Sequence, residues 1–598
     1  MVRSLALVLF AFASLSVAHA DEDDDADDFN FRGALSFAKQ DYDKAIEQYT
    51  EAVRLDPKHS AAFNNRGKAW AAKKEFDKAI KDYDEAIRLD PKAGLAFGNR
   101  GDALCEKKEY DKSIADYTEA IRLIPKYAYA FNNRGLAWAG KKEFGKAIED
   151  FNEAIRLDPK GAYAFLNRGE AWMHKKEYDK AIDDLTKAIR HDPMLATAFH
   201  DRGVAWFAKK DANKAMTDLN EAIRLGPKNA STFLARGELW TEKGENDKAI
   251  QDFTEVIRLD PKNAEAFFAR GDRWVEMKQF DKAFQDYNDA IRLNPQEAFY
   301  YVARGDLWVE KREFDEALKE YNTAVRLDPT NASGWDGRGQ AWIGKKEFDK
   351  AIEDLTKSIR LAPKSSLAFQ MRGEAWSCKE KFDKAIKDYD EAIRLNPKNA
   401  YAFTGRGDAW LNKLELDNAI KDFTEAIRFK PTYIDGFRGR GQAWVEKKEF
   451  DKAIKDFTEA IRLEPKNADA RSDRGQAWLE KKDYGKAIED FTEVVRLDPK
   501  DSRTLVDLAW LYATCPDGKY RDGKKAVALA SKACEMTDWK GGCSLAALAA
   551  AYAESGNFEK AVKYQKQALE DKTSSEELVE SRRERLKLYK QKHPYRQP

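Results

Sequence analysis

The residues whose types could carry catalysis or bind a metal are few and scattered along this 598-residue chain. Of six histidines, His19, His59, His191 and His593 stand alone, and none has the short spacing that brings metal ligands together. His174 and His200 fall on equivalent helical segments but eight register positions apart. At roughly 1.5 Å per residue their levels differ by about 12 Å, so no shared ion is expected. Gly436, Gly439 and Gly441 imitate a phosphate-cradling loop, yet no strand precedes them and they occupy a position that reads as close helix approach. Cys105 and Cys378 are isolated. Cys515, Cys534 and Cys543 lie near enough in sequence for one local disulfide, with an odd thiol left over. No catalytic residue, metal or cofactor is expected.

One chemical pairing does recur. Thirteen arginines, Arg66, Arg100, Arg134 and onward to Arg474, are each followed sixteen residues later by an acid: Asp82, Asp116, Asp150 and so on, with Glu320 once. Where leucine replaces the arginine, at Leu508 and Leu548, the acid is gone too, leaving Leu529 and Tyr564. Covariation inside one chain points to contact. A ladder of partly buried, bidentate arginine–carboxylate pairs is expected, holding helices together. The first candidate, Arg32 with Gln48, should pair more weakly.

These pairs need a periodic scaffold, and the sequence supplies one. Arg-Gly recurs with glycine at 33, 67, 101 and onward to 475, always 34 residues apart, and fourteen of the seventeen prolines keep the same step. In residues 60–93, Phe63, Gly67 and Trp70 form one stripe and Phe76, Ala79, Ile80, Tyr83, Ala86 and Ile87 another, both with helical spacing. Lys73-Lys74-Glu75 separates them, and Asp90-Pro91 ends the unit because proline cannot continue a helix. Each unit is therefore a helix hairpin that must stack on neighbours to bury its stripes. Twelve tryptophans, Trp70, Trp138, Trp172, Trp206 and their equivalents through Trp478, repeat in this pattern and are expected to pack between units.

The order aromatic, Arg-Gly, aromatic, Ala, aromatic, Ala and Pro, held here by Phe63, Arg66-Gly67, Trp70, Ala79, Tyr83, Ala86 and Pro91, resembles the tetratricopeptide repeat. The likeness runs through nearly the whole chain, with Arg66 and its equivalents departing from the leucine usual in the family. It implies an all-α, right-handed α-solenoid of about sixteen 34-residue helix-turn-helix repeats with a C-terminal capping helix. The expected organisation is fourteen regular repeats over 26–501, a divergent repeat with an insertion over 502–541 and a second over 542–573. A capping helix and basic tail follow over 574–598, with a solvated cationic face.

The ends carry two further signals. Residues 1–20 have one cation at Arg3, an apolar run from Leu5 to Val17 and Ala18-His19-Ala20, the pattern of a cleaved signal peptide. Residues 21–28 are nearly all acidic and are expected to be disordered. Export to a periplasmic or extracellular location follows, without stable membrane insertion. Lys+Arg and Asp+Glu are both 105, so no net sign points to nucleic acid. After residue 575 only 23 residues remain, and no catalytic domain is expected there.

In the family the first helices line a concave face, and three places on them, three before, one after and four after the glycine, vary along this chain. Between 129 and 310 they or their neighbours become apolar: Tyr129, Leu136, Tyr163, Leu166, Phe207, Leu234, Phe268, Phe299 and Val302. Acids accompany them at Glu238, Glu242, Asp272, Glu276, Asp306 and Glu310. An apolar stripe rimmed by negative charge suits an extended protein segment with apolar and basic residues. The competing reading packs these residues on the neighbouring first helix. The function expected is a non-catalytic protein- or peptide-binding scaffold; the alternative is a purely structural or self-assembling envelope array, with self-association in either case open.

Overall fold

A computed structural model describes residues 25–571 and 575–597; the segment read as a signal peptide lies outside them. Among the described residues there are 33 α-helices and no strand. Local sequence explains the hairpin in residues 60–93. The first helix, Ser60–Ala72, ends where Lys74 takes φ 63°, and the Glu75 amide donates to the Trp70 carbonyl at 3.0 Å. This left-handed stop satisfies orphan carbonyls and turns the chain. The second helix, Phe76–Leu89, ends at Asp90, before Pro91. Between them Gly67 is required by close approach: a Cβ there would lie 2.6 Å from the Tyr83 ring. The same glycine meets the same kind of ring at Gly441, where Phe457 would be 2.5 Å away, so the Gly436–Gly441 run is helix packing.

The chain divides into two units. The first, to Leu293, holds eight helix pairs from Ala26–Ala38 to Phe280–Leu293. The second, from Asn294, holds eight more from Ala298–Glu310 to Phe558–Ala568, then a last helix, Glu576–Lys590. In both, alanines such as Ala79, Ala86 and Ala96, or Ala385, Ala392 and Ala402, are almost wholly buried, and the side chain facing the repeat's glycine is a large ring such as Tyr83 or Tyr389, or a leucine such as Leu185 or Leu355. The divergent pair, Ser502–Thr514 and Gly523–Met536, takes up its insertion with the short 3₁₀ turn Gly518–Tyr520.

Two expectations change, and one question the sequence left open is answered. Residues 26–28 of the acidic run are helical: Asp25 caps the helix Ala26–Ala38, accepting the Asp28 amide at 2.8 Å, and Asp27 and Asp28 sit in its first turn, while residues 21–24 lie outside the described residues. Acids stabilise a helix N-terminus, which is why the helix begins inside the run. The last helix does not present all its cations to solvent either. Arg582 is fully buried, donating to the Ala568 carbonyl at 2.7 Å, while Gln565 donates to its own carbonyl at 2.9 Å. Arg582 thereby caps the preceding helix Phe558–Ala568 with a cation, as the helix dipole favours. Finally, all five cysteines are free thiols. Cys515 and Cys534 are buried, and burial pushes the Cys534 thiol up to about 11.

Candidate partner-binding face

The arginine ladder is intrarepeat and interrepeat at once. Arg66 Nε and Nη2 donate to Asp82 Oδ2 and Oδ1, each at 2.8 Å, joining the two helices of one repeat. Its Nη1 reaches back to Thr50 Oγ1 of the preceding repeat at 3.3 Å. Arg100 does the same with Asp116 and Asp84, and Arg134 with Asp150 and Thr118. Arg304 donates through Nη2 to both oxygens of Glu320. Most of these guanidiniums also lie over the aromatic ring three residues earlier, as Arg66 over Phe63 at 5.4 Å; Arg474, preceded by Arg471, does not. Burial raises the Asp116 and Asp422 carboxyls against the pull of Arg100 and Arg406. Arg32, lacking an acid at position 48, pairs with Asp28 instead at 2.5 Å.

The tryptophans pack between repeats. Trp70 contacts the Ala45, Ile46 and Tyr49 core of one repeat and the Ala79 and Tyr83 core of the next. A lysine from the second helix covers the ring: Lys78 over Trp70 at 4.5 Å, Lys214 over Trp206 at 4.0 Å, Lys486 over Trp478 at 4.0 Å. Core on one side and a cation on the other leave little room for a stacked ligand.

Neighbouring first helices are joined by polar side chains. In the first unit Asn65 donates to Asn30, Asn99 to Asn64 and Asn167 to Asn132. Asp102 accepts from Tyr117 Oη at 2.5 Å, Tyr129 Oη at 2.8 Å and Asn133 Nδ2 at 2.8 Å. On these helices burial raises the carboxyls of Asp102, Glu170 and Asp272. Asp201 is pushed up to about 8 by burial and by the negative charge of the neighbouring Glu170. The second unit repeats the theme: burial raises Glu374, Asp473 and Asp507, and takes Asp336 to about 6 and Asp408 to about 7. Sequence reasoning named only the acids between 238 and 310. The signal for others was present, since Asp102, Glu170, Glu374 and Asp408 also directly follow their Arg-Gly.

The apolar candidates separate. In the first unit Tyr163, Tyr129 and Leu136 are exposed, at 62%, 43% and 38%, although Tyr129 gives its hydroxyl to Asp102. Leu166 is buried against Phe165, Leu185 and Ala198, and so is a core residue. Phe207 packs beside Ala215 and Leu219, Leu234 beside Phe233 and Val256, and Phe268 stacks on Tyr287 at 5.4 Å. In the second unit Phe299 is 46% exposed, while Val302 is buried against Leu318 and Tyr321. The position three before the glycine faces the adjacent first helix, so larger side chains there turn inward. Of the acids, Glu238, Glu242, Glu276, Asp306 and Glu310 are exposed and Asp272 is half-buried. Asp272 accepts from Tyr287 Oη and Asp306 from Tyr321 Oη, both at 2.6 Å. Of the apolar residues foreseen from the sequence, Tyr129, Leu136 and Tyr163 in the first unit and Phe299 in the second are exposed, Phe207, Leu234 and Phe268 are half-buried, and Leu166 and Val302 are buried.

Among the described residues no group of three or more His, Cys, Asp or Glu is placed to hold a metal ion. His174 stacks on Phe144 at 4.5 Å, and burial holds His200 below the usual imidazole range.

Family profiles described as tetratricopeptide repeat match residues 35–94, 128–160, 162–195, 302–366, 439–502 and 544–573, and one described as TPR repeat matches 101–142, 237–273 and 379–413. The chain belongs to the tetratricopeptide repeat family. Among solved structures, its fold is similar to Cut9 in an APC/C Cut9–Hcn1 hetero-tetramer, at 16% identity and TM-score 0.39, covering 81% of this chain and 96% of that one. It is similar to yeast Tom70 at 19% identity and TM-score 0.33, covering 75% and 96%. A tetratricopeptide repeat protein from Parabacteroides merdae gives 19%, 0.35, 41% and 97%. No curated protein matches the sequence. Tetratricopeptide arrays are protein-interaction scaffolds, a fold that is typically non-catalytic. In this array no helix among the described residues is long and apolar enough to cross a membrane.

Proposed function

We propose that this tetratricopeptide array is a non-catalytic scaffold whose first helices hold extended protein segments carrying apolar and basic residues, and that it acts outside the cytoplasm. The observation that carries the reading is the half-buried acids Asp102 and Asp272 on the first helices of the first unit, which also present the exposed rings of Tyr129, bonded to Asp102, and Tyr163; in the second unit the first helix Ala298–Glu310 presents the exposed ring of Phe299 and the exposed Asp306 and Glu310. A cation arriving there meets carboxylates that water solvates poorly, so its attraction is stronger than at an open surface. Exposed aromatics supply the apolar contact. Export rests on the composition of residues 1–20.

An array of extended peptides graded in apolar and basic content, probed with residues 21–598, tests the binding reading. Binding should rise with both, weaken as salt screens the charges, and fall when Glu238→Gln and Asp272→Asn are combined. Equal binding to acidic peptides would count against it. Fusing residues 1–24 to a reporter that is active only outside the cytoplasm tests export separately, and an inactive fusion would remove that half of the reading.

A further inference from the structure

The C-terminal tail returns to the array. After the left-handed stop at Lys592 (φ 63°), His593 closes the last helix by donating its amide to the Leu588 carbonyl at 2.9 Å. The chain then runs back, without regular secondary structure, to the end of the first helix Ser502–Thr514. There Gln597 donates its amide to the Thr514 carbonyl at 2.9 Å. Arg596 pairs with Glu554 Oε2 at 2.7 Å and reaches the Ala513 carbonyl at 3.5 Å. The Tyr595 ring lies 5.9 Å from Trp510, and Arg585 bridges both rings at 4.7 and 5.6 Å.

The receiving surface is built for this chemistry. Helix Ser502–Thr514 ends there, so its terminal carbonyls carry partial negative charge. Glu554, only 15% exposed, adds a full charge and is held in place by Arg521 Nε at 3.1 Å. Trp510 offers a flat face beside them. One main-chain acceptor, one cation site and one aromatic platform in series are what an extended segment with an aromatic followed by an arginine requires. The tail is held lightly by comparison: residues 594–597 are only half-buried, and the Arg596 side chain remains 36% exposed. Segments with few buried contacts open at low free energy.

We infer that the surface formed by Trp510, Ala513, Thr514 and Glu554 is a binding site for an extended aromatic–arginine segment of a partner protein, and that Tyr595 and Arg596 occupy it as a built-in competitor. The site lies outside the first-helix stripe proposed above and stands without it, because its probe is the chain's own tail.

The test uses a fluorescent peptide of residues 592–598 added to the full chain. A Tyr595→Ala/Arg596→Ala chain, with its own tail disengaged, should bind the peptide at least tenfold more tightly than the natural chain. Adding Glu554→Gln should take that gain away, and a peptide with Arg596→Ala should bind tenfold or more weakly. Equal affinity for natural and variant chains, or none for either, overturns the inference and leaves the tail a permanent cap. Should the variant fold poorly, hydrogen exchange on the natural chain decides: excess peptide must accelerate exchange at the Gln597 amide, and unchanged protection sinks the proposal.

Discussion

Arg236 grips Asp252 with two parallel hydrogen bonds, Nε to Oδ2 at 2.8 Å and Nη2 to Oδ1 at 2.7 Å, while its third nitrogen donates to Asn220 of the preceding repeat at 2.7 Å. The arginine side chain is 22% exposed and the aspartate 6%. Replacing Asp252 with Ala leaves a mostly buried cation without its carboxylate and should cost about 3 kcal/mol, the lower end for a broken buried pair because the arginine keeps some water. Replacing both Arg236 and Asp252 with Leu should recover most of that loss. The chain already does so where Leu508 and Leu529 pack in one core cluster. Hydrogen exchange in residues 230–259 reads both variants locally, which suits an array whose global unfolding need not be two-state.

Two glycines on helices should respond in opposite directions to alanine. A Cβ at Gly237 would sit 2.6 Å from the Phe253 ring, so Gly237→Ala should lower stability by about 1–3 kcal/mol through overpacking. Gly145, in the helix Phe144–Leu157, has nothing within 4 Å of a Cβ, and Gly145→Ala should raise stability by about 0.5–1 kcal/mol. Thermal melts of the two variants check the sign.

Leu414 occupies the left-handed turn position at φ 61° with 71% of its surface exposed. Its side chain gains little from packing and the backbone geometry suits glycine, the residue found at the equivalent Gly244. Leu414→Gly should stabilise its repeat by about 1 kcal/mol. A lower melting temperature would contradict this.

The Glu170–Asp201 contact gives the first unit a pH dependence. Asp201 is pushed up to about 8 in the folded chain, above the value of about 4 for a solvated aspartate. The folded state therefore binds more protons than the unfolded state across that interval. Its stabilising contribution is complete below about pH 4 and is lost as pH climbs toward 8. Melting of the natural chain should fall between pH 5 and 8, and Asp201→Asn should flatten that slope. An unchanged slope would show that Asp201 does not titrate in this range in the folded chain.

A basic segment on the first helices of the second unit should likewise bind more tightly as pH rises. Burial holds the Asp408 carboxyl near 7, so a docking cation favours its ionised form. Affinity for a lysine-rich peptide should increase from pH 6 to 8, and Asp408→Asn should reduce the increase in a fluorescence titration.

The fold was legible because a strict period of 34 repeats every local cue together: the glycine under a ring, the tryptophan between cores, the proline after the second helix. The pairing of Arg66 with Asp82 was legible for a different reason, the joint loss of both types at Leu508 and Leu529. Leu166 and Val302 misled because a helix pattern tells which face a side chain leaves, whereas their burial depends on how closely the next first helix approaches. Ala198 supplies that approach for Leu166. The return of Tyr595 to Trp510 had no sequence signal at all, since 85 positions separate them and no period connects them.

Within each unit, the third bond of the guanidiniums gives the array a mechanical property. Stretching it along its length loads the contacts between repeats, the single Arg–Thr, Arg–Asn or Arg–Asp bond of each guanidinium among them, before the paired bonds inside a repeat, as in Arg270 with Thr254 against Asp286. The array should therefore extend like a spring whose successive coils separate while each hairpin keeps its shape.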